Sequence, residues 1–376
     1  MNGGKKFWIG FGVSALLLAL FFLTGDLGRM LDAMAGANYV YVAPAVGTYL
    51  VSVLFRTLRW QWLLRHLRHV GVVRLYPVVV VGYMANNLLP MRMGELVRSY
   101  YLGEREGISK TSALVTIFIE RLLDALTLLL FISAIALFVP VSGLAKAFSG
   151  SHGATWLLVG TTLVVLFVSA FGMLLLMALR PSKAGALARA LIRPFPQGLE
   201  VRLGHMIDLV LDGLAALRSP RILALLFLLS VPIWLLEAGL FFLIGLSFGL
   251  DNVYDDLIEM AVAMVLVTAI ANIGSSIPLA PGGLGLFEWV ARETLVLLPL
   301  AMVDVAVATA YVAVVHSSLL LPMIVLGQVF LWSQHVSLST LSRAGQSALA
   351  GPMPVDGAAL LPDDASTERV DGGYSE

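Results

Sequence analysis

Leu75-Tyr76-Pro77-Val78-Val79-Val80-Val81-Gly82-Tyr83-Met84-Ala85-Asn86-Asn87-Leu88-Leu89 is an apolar run that stops too soon. As a helix it reaches about 22 Å, short of the about 30 Å of hydrocarbon a span must cross. It also ends on two side-chain amides, Asn86 and Asn87, which hydrocarbon does not solvate. The surrounding chain leaves no doubt about its solvent. Of 376 residues, 59% are hydrophobic and 13% charged, and mean hydropathy is +0.90. A soluble domain carries about 45–50% apolar and about 25% charged residues. The fold class is therefore an all-α polytopic membrane protein.

Seven further apolar stretches surround the short one: Phe7–Leu23, Tyr39–Phe55, Thr111–Val139, Ala154–Leu179, Ile222–Leu250, Leu257–Leu279 and Val303–Trp332. Phe7–Leu23 follows Lys5-Lys6 but precedes Thr24-Gly25-Asp26-Leu27 and no small-residue cleavage site, so it reads as a first span and not as a signal peptide. Basic residues cluster after the second stretch (Arg56, Arg59, Arg65, Arg68, Arg74), after the short one (Arg92, Arg98, Arg105, Lys110) and after Ala154–Leu179 (Arg180 to Arg221). Cytoplasmic loops carry the excess of Lys and Arg. All three basic loops lie on that side only if Leu75–Leu89 enters and leaves by one face, as a re-entrant hairpin. Re-entrant backbone is tolerated only where protein buries it or where it lines a wet cavity. A polar cavity is the first functional expectation.

Leu257–Leu300 is interrupted in the same manner, at Asn272-Ile273-Gly274-Ser275-Ser276, Pro278 and Pro281-Gly282-Gly283. It reads as a second hairpin, leaving about six full spans with the N-terminus cytoplasmic. Residues 1–332 form the membrane domain. From 333 to 376 the chain is rich in Ser, Gly, Ala, Pro and acids and reads as a disordered cytoplasmic tail. Leu199–Leu217 is amphipathic at helical spacing and suits an interfacial helix.

The two broken segments resemble each other. One reads Asn87-Leu-Leu-Pro90-Met-Arg92-Met-Gly94-Glu95-Leu-Val-Arg98, the other Pro281-Gly282-Gly283-Leu-Gly285-Leu-Phe-Glu288-Trp-Val-Ala-Arg292. In each a Pro precedes a Gly by four residues, and a Glu and then an Arg follow. Paired Gly/Pro-interrupted segments in two halves of a chain are the pointer to an inverted-repeat transporter site. A helix restarting after a break aims free N–H groups and a positive dipole end at the cavity, which suits an anion such as phosphate. Arg92, Arg98 and Arg292 are candidate bidentate partners for it. Tight packing at a helix break, with Glu95–Arg98 and Glu288–Arg292 as self-satisfied pairs, fits the spacing equally well.

In order along the chain, Asn87–Arg98, Gly107-Ile108-Ser109, Glu120-Arg121-x-x-Asp124 and Pro281–Glu288 resemble the flippase-like family, the transmembrane region of lysylphosphatidylglycerol synthases. The resemblance implies a domain that moves lipids between leaflets of a prokaryotic plasma membrane. It also implies head-group contacts at Asn87, Pro90, Arg92, Gly94, Glu95, Arg98, Glu120, Arg121, Asp124, Pro281, Gly282, Gly283, Gly285, Glu288 and Arg292. The aminoacyl-transfer domain of those synthases has no counterpart in residues 333–376, so lysyl transfer is not expected.

Glu237 lies deep in an apolar stretch, five residues after Pro232. Desolvation favours the neutral form of an unpaired carboxylate, so Glu237 is a candidate proton carrier. A neutral carboxyl bonded to a neighbouring helix is the plainer alternative. His316 reads as a hydrogen-bonded packing residue, and Arg59, Trp60, Trp62 and Arg65 as an interfacial anchor.

Twenty-four Lys and Arg balance 24 Asp and Glu, so nucleic acid is not an expected partner. The absence of cysteine excludes disulfide scaffolds, thiol catalysis and thiolate metal sites. No Walker loop, His-Glu-x-x-His or dinucleotide fingerprint is present, so no cofactor or metal is expected. The leading expectation is a non-enzymatic flippase or scramblase for an anionic or polyprenyl-phosphate-type lipid. The alternatives are a membrane-embedded transferase or hydrolase on a lipid-linked substrate, and a non-transporting partner subunit of an envelope enzyme. A second copy of the chain is a further candidate partner.

Overall fold

A computed structural model describes residues 3–89, 93–138, 179–196, 219–276, 281–298 and 300–334, with scattered positions between 162 and 208 and residues 337 and 338. For 3–11, 136–138 and 220 it describes backbone only. The expected Ala154–Leu179 span and amphipathic Leu199–Leu217 lie largely outside these residues, as does nearly all of the tail.

The described elements are helices, with no strand among the described residues: α1 (Gly3–Leu23), α2 (Leu27–Gly36), α3 (Val42–Leu64), α4 (Val72–Leu88), α5 (Gly94–Glu106), α6 (Lys110–Phe138), α7 (Pro181–Ile192), α8 (Pro220–Ser247), α9 (Leu257–Gly274), α10 (Leu286–Leu297) and α11 (Val305–Ser333). Asp side chains start several of them by accepting otherwise orphaned N–H groups. Asp256 takes those of Ile258 and Glu259, and Asp304 those of Ala306 and Val307. Asp26 accepts the Arg29 N–H at 3.2 Å and starts α2, which leaves α1 at an angle of 80°. The connection 24–38 between the first two apolar stretches is thus largely helical.

By length and composition, four helical segments can cross a membrane: Tyr39–Leu64, Arg221–Ser247, Leu257–Gly274 and Val305–Ser333. The bent pair of α1 and α2 would make a fifth, among the described residues. The apolar stretch ending at Phe55 is only the first part of α3, which runs on helically to Leu64.

α4 is central. Val78, Val79, Val80, Val81, Gly82, Met84 and Ala85 are buried in near-continuous succession, so no side of the helix faces outward there. A helix hydrophobic and buried all round is wrapped by protein. By contrast α11 leaves Leu321, Val325, Val329 and Trp332 exposed, a stripe at helical spacing that suits lipid. α4 packs on α5 and α11, α9 on α10, and α3 lies along α8. Each broken segment is therefore a helix–break–helix unit folded back on itself.

Two glycines set the first fold-back. A Cβ on Gly94 would run into the carbonyl oxygen of Gly82, and one on Gly82 would meet Arg98 Cβ at 3.0 Å. Gly94→Ala is expected to push α4 and α5 apart and cost about 1–3 kcal/mol through overpacking. Thermal unfolding in detergent measures it, and a variant as stable as the parent would mean the helices are less closely seated.

Candidate functional site

The two breaks meet. At the first, Asn86 Oδ1 accepts the Gly94 N–H at 2.8 Å, so an α4 side chain serves a donor at the start of α5. At the second, Pro281–Gly283 makes one 3-10 turn, and Gly282, Gly283 and Gly285 take φ of 62°, 72° and 86°. These left-handed conformations cost a residue with a Cβ about 1–2 kcal/mol each, which accounts for Gly-Gly-x-Gly. A Cβ on Gly282 would lie 3.6 Å from the Asn87 carbonyl oxygen, so the tips of the two breaks touch.

Beside this contact is a cavity of about 160 Å³. One water needs about 10–15 Å³ measured this way, so the cavity holds several. α4 contributes Tyr83, Asn86 and Asn87 to its wall, and the second broken segment contributes Asn272, Ser275, Gly282 and Gly283. Arg56, Arg121, Glu237 and His316 arrive from α3, α6, α8 and α11. A void of about 10 Å³ adjoins it, lined by Glu95 and Arg98 and sharing Tyr83, Asn86 and Arg121 with the larger cavity.

Behind the wall lies a buried charge network. Asp124 is its hub, with Arg59 Nη2 at 2.8 Å, Arg121 Nη2 at 3.2 Å and Arg56 Nη1 at 3.5 Å. Arg56 Nη2 also meets Glu237 Oε2 at 2.6 Å, and its guanidinium lies 4.5 Å from the centre of the Trp234 ring. Arg98 pairs with Glu120 at 2.7 Å and stacks over Trp60 at 3.6 Å. Among the described residues four guanidiniums thus face three ion-paired carboxylates, with Glu95 half-buried in the void beside Arg121. The Arg121 side chain is 29% exposed, against 6% or less for Arg56, Arg59 and Arg98, so it is the more exposed of the two cations lining the cavity.

Several expectations need correcting. Glu237 is not isolated: besides Arg56, it accepts from Asn272 Nδ2 at 3.0 Å, so its charge is compensated within the protein. Arg59 and Trp60 are fully buried, Arg59 Nη1 donating to Ser230 Oγ at 2.7 Å and Trp60 Nε1 to Thr116 Oγ1 at 3.0 Å. Only Arg65, over Trp62 at 4.1 Å, retains the geometry of a surface anchor. Neither expected Glu–Arg pair within a broken segment forms: Arg98 turns to Glu120 and Arg292 to Glu293.

Of the candidate site residues, Asn87, Arg121, Glu237, Gly282 and Gly283 line the cavity, and Gly94, Glu95 and Arg98 line the void. Glu120 and Asp124 hold the guanidiniums from behind. Pro281 opens the second turn. Gly285 faces α1, where a Cβ would meet Ser14 O at 2.5 Å. Arg292 points away from the cavity, donating to Phe21 O at 2.8 Å and Thr24 Oγ1 at 2.9 Å. Glu288 reaches the site through His316, at 2.7 Å. Pro90 and Arg92 lie outside the described residues. Sequence reasoning missed Arg56, Tyr83 and Trp234 as wall residues; the signal available was that Asp124 and Glu237, deep in apolar stretches, require cations.

A family model described as the lysylphosphatidylglycerol synthase TM region matches residues 7–327. The chain belongs to this family. The match covers both broken segments and all the helices that build the cavity. Among curated relatives is a UPF0104 membrane protein of Methanothermobacter thermautotrophicus, 29% identical over 285 residues, covering 73% of this chain and 80% of the relative. A second UPF0104 membrane protein of that organism is 24% identical over 303 residues, 77% of this chain and 82% of the relative. A protein named glycosyltransferase AglD of Haloferax volcanii is 26% identical over 348 residues. That match takes in 87% of this chain but about half, 54%, of AglD. The family is one of multi-pass prokaryotic membrane proteins.

Proposed function

We propose that the chain is a flippase or scramblase that passes lipids with an anionic head group, phospholipid or polyprenyl phosphate, between leaflets of the plasma membrane. The observation that carries this reading is the meeting of two broken helices, at Asn87 and Gly282, on a polar cavity in an otherwise apolar chain. Moving an unpaired phosphate through hydrocarbon is prohibitive. Arg121 and the amides of Asn86 and Asn87 supply compensating donors while acyl chains stay in the bilayer. In this reading α4–α5 and α9–α10 are re-entrant hairpins related as an inverted repeat, among about six full spans with the N-terminus cytoplasmic. Arg56, Arg59 and Arg98 are neutralised inside the protein, so the orientation rests on the remaining loop charges, Arg65, Arg68, Arg74 and Arg105 among them.

Head-group selectivity tests the proposal. In proteoliposomes, labelled phosphatidylglycerol is expected to change leaflets several-fold faster than equally labelled phosphatidylcholine. Equal rates for both would remove the anion site from the account.

The match to AglD supports a second reading, a membrane-embedded role in transferring a sugar to or from a lipid carrier. Protein-dependent glycosylation of a polyprenyl phosphate, with no leaflet exchange, would favour it.

A further inference from the structure

His316, on α11, has both ring nitrogens engaged. Nδ1 lies 2.7 Å from Glu288 Oε1 and Nε2 lies 3.1 Å from the Gly282 carbonyl oxygen. A carbonyl oxygen only accepts, so Nε2 carries a hydrogen. A neutral ring would then present a bare lone pair at Nδ1, and an ionised carboxylate also only accepts. Two lone pairs do not face each other at 2.7 Å, so a proton lies between them. The pair holds one proton more than a neutral histidine beside an ionised glutamate. Glu288 Oε2 already accepts the Gly285 N–H at 2.7 Å, in the first turn of α10, where the helix dipole favours an anion. These contacts favour the carboxylate as the anion and the imidazole as the holder of the extra proton.

We propose that His316 and Glu288 form a proton-binding site that latches the second broken segment to α11 at the cavity wall. Its effect on transport rests on the flippase reading, but the bound proton does not. With the proton in place, α11 holds the segment through three contacts. These are the bond to Glu288, the bond to Gly282 O, and the Phe287 ring stacked on the imidazole at 4.3 Å. Departure of the Nδ1 proton to cavity water leaves the lone pair of Nδ1 against the carboxylate, and the attraction there becomes repulsion. Gly282 is also the residue in contact with Asn87, so loosening it opens the seam between the two breaks.

The neighbouring charges do not substitute for this proton. The titratable groups sharing the cavity are Tyr49 and Arg56 of α3, Tyr83 of α4, Arg121 of α6 and Glu237 of α8. Arg56 and Glu237 neutralise each other at 2.6 Å, and Arg121 is held by Asp124. α9 presents Asn272 and Ser275, which do not titrate in this range. On α10, Arg292 and Glu293 pair with each other, the guanidinium also bonding to α1, whose residues 12–23 carry no titratable side chain. Arg29 of α2 pairs with Asp304, about three turns along α11 from His316. Arg74 of α4 pairs with Glu106 of α5, near the opposite end of α4 from Tyr83.

Nitrogen-15 NMR of histidine-labelled full-length protein in nanodiscs, with His316→Gln to assign the resonance, reads the proton directly. Both ring nitrogens protonated in the latched state is the expected result. A neutral ring protonated at Nε2 alone, with infrared spectra showing Glu288 ionised, would overturn the site. The latch is read by distance between spin labels at Leu284→Cys and Leu321→Cys, which the cysteine-free chain permits. That distance is expected to lengthen as pH rises through the His316 transition. Glu288→Gln can donate its amide to a deprotonated Nδ1 and accept the Gly285 N–H, so it should hold the short distance where that of the parent lengthens. A parent distance that ignores the transition would overturn the latch. Failure of the flippase reading would appear in leaflet-exchange rates and leave these readouts in place.

Discussion

Asp124→Ala is expected to destabilise the protein by about 3–5 kcal/mol, the cost of breaking a buried charge cluster by removing one partner. Asp124 is 5% exposed and lies within 3.5 Å of guanidinium nitrogens of Arg56, Arg59 and Arg121. Without it, Arg59 keeps its hydrogen bond to the neutral Ser230 hydroxyl at a fully buried position, with its charge uncompensated. Thermal unfolding in detergent should show a midpoint lower by roughly 10 °C. Asp124→Asn keeps an acceptor without the charge and should fall between the two. An alanine variant that unfolds with the parent would mean the cluster is not what ties α3, α6 and α8 together.

Arg121→Ala should separate transport from stability. Asp124 keeps Arg56 and Arg59 in that variant, so folding is expected to survive, while the cavity loses its most exposed guanidinium. A hydrogen bond to a charged group contributes about 1.5–3 kcal/mol, equivalent to roughly a 10- to 100-fold slower exchange of anionic lipid. Arg121→Lys retains the charge but not the fork and should recover part of the rate. If Arg121→Ala instead unfolded as readily as Asp124→Ala, the residue would belong to the scaffold and not to the lipid path. Arg98→Ala, attractive from spacing as a phosphate contact, belongs with Asp124: it would strand buried Glu120.

Much of this architecture was legible from local features. The short apolar run ending on Asn86-Asn87, and Gly-Gly-x-Gly after Pro281, announced both breaks because a chain cannot cross hydrocarbon there. Glu120, Arg121 and Asp124 were legible through the family resemblance, and the three-residue step from Arg121 to Asp124 suits the ion pair they form. The partners of that cluster were not legible. Arg56 meets Glu237 across 181 positions, and no local period encodes such a pairing. Arg56 and Arg59 resembled loop charges because hydropathy falls at Phe55. The helix nevertheless continues, and Val53, Arg56, Trp60 and Leu63 form one buried stripe at three- and four-residue steps. Spacing suits Arg98 equally to an anion in the cavity or to Glu95, one turn away, whereas its side chain faces α6 and Glu120. The His316–Glu288 bond depends on α11 passing the second break, a tertiary fact that the spacing of 28 residues does not reveal.

The most direct measurement is leaflet exchange of head-group-labelled phosphatidylglycerol, followed by dithionite quenching in vesicles containing the purified protein. The account predicts that protein-containing vesicles lose their protected inner-leaflet signal faster than protein-free vesicles, and that Arg121→Ala returns the rate most of the way to the protein-free value. Protein-containing and protein-free vesicles that lose signal at the same rate, with phosphatidylglycerol and with a labelled polyprenyl phosphate alike, would contradict it.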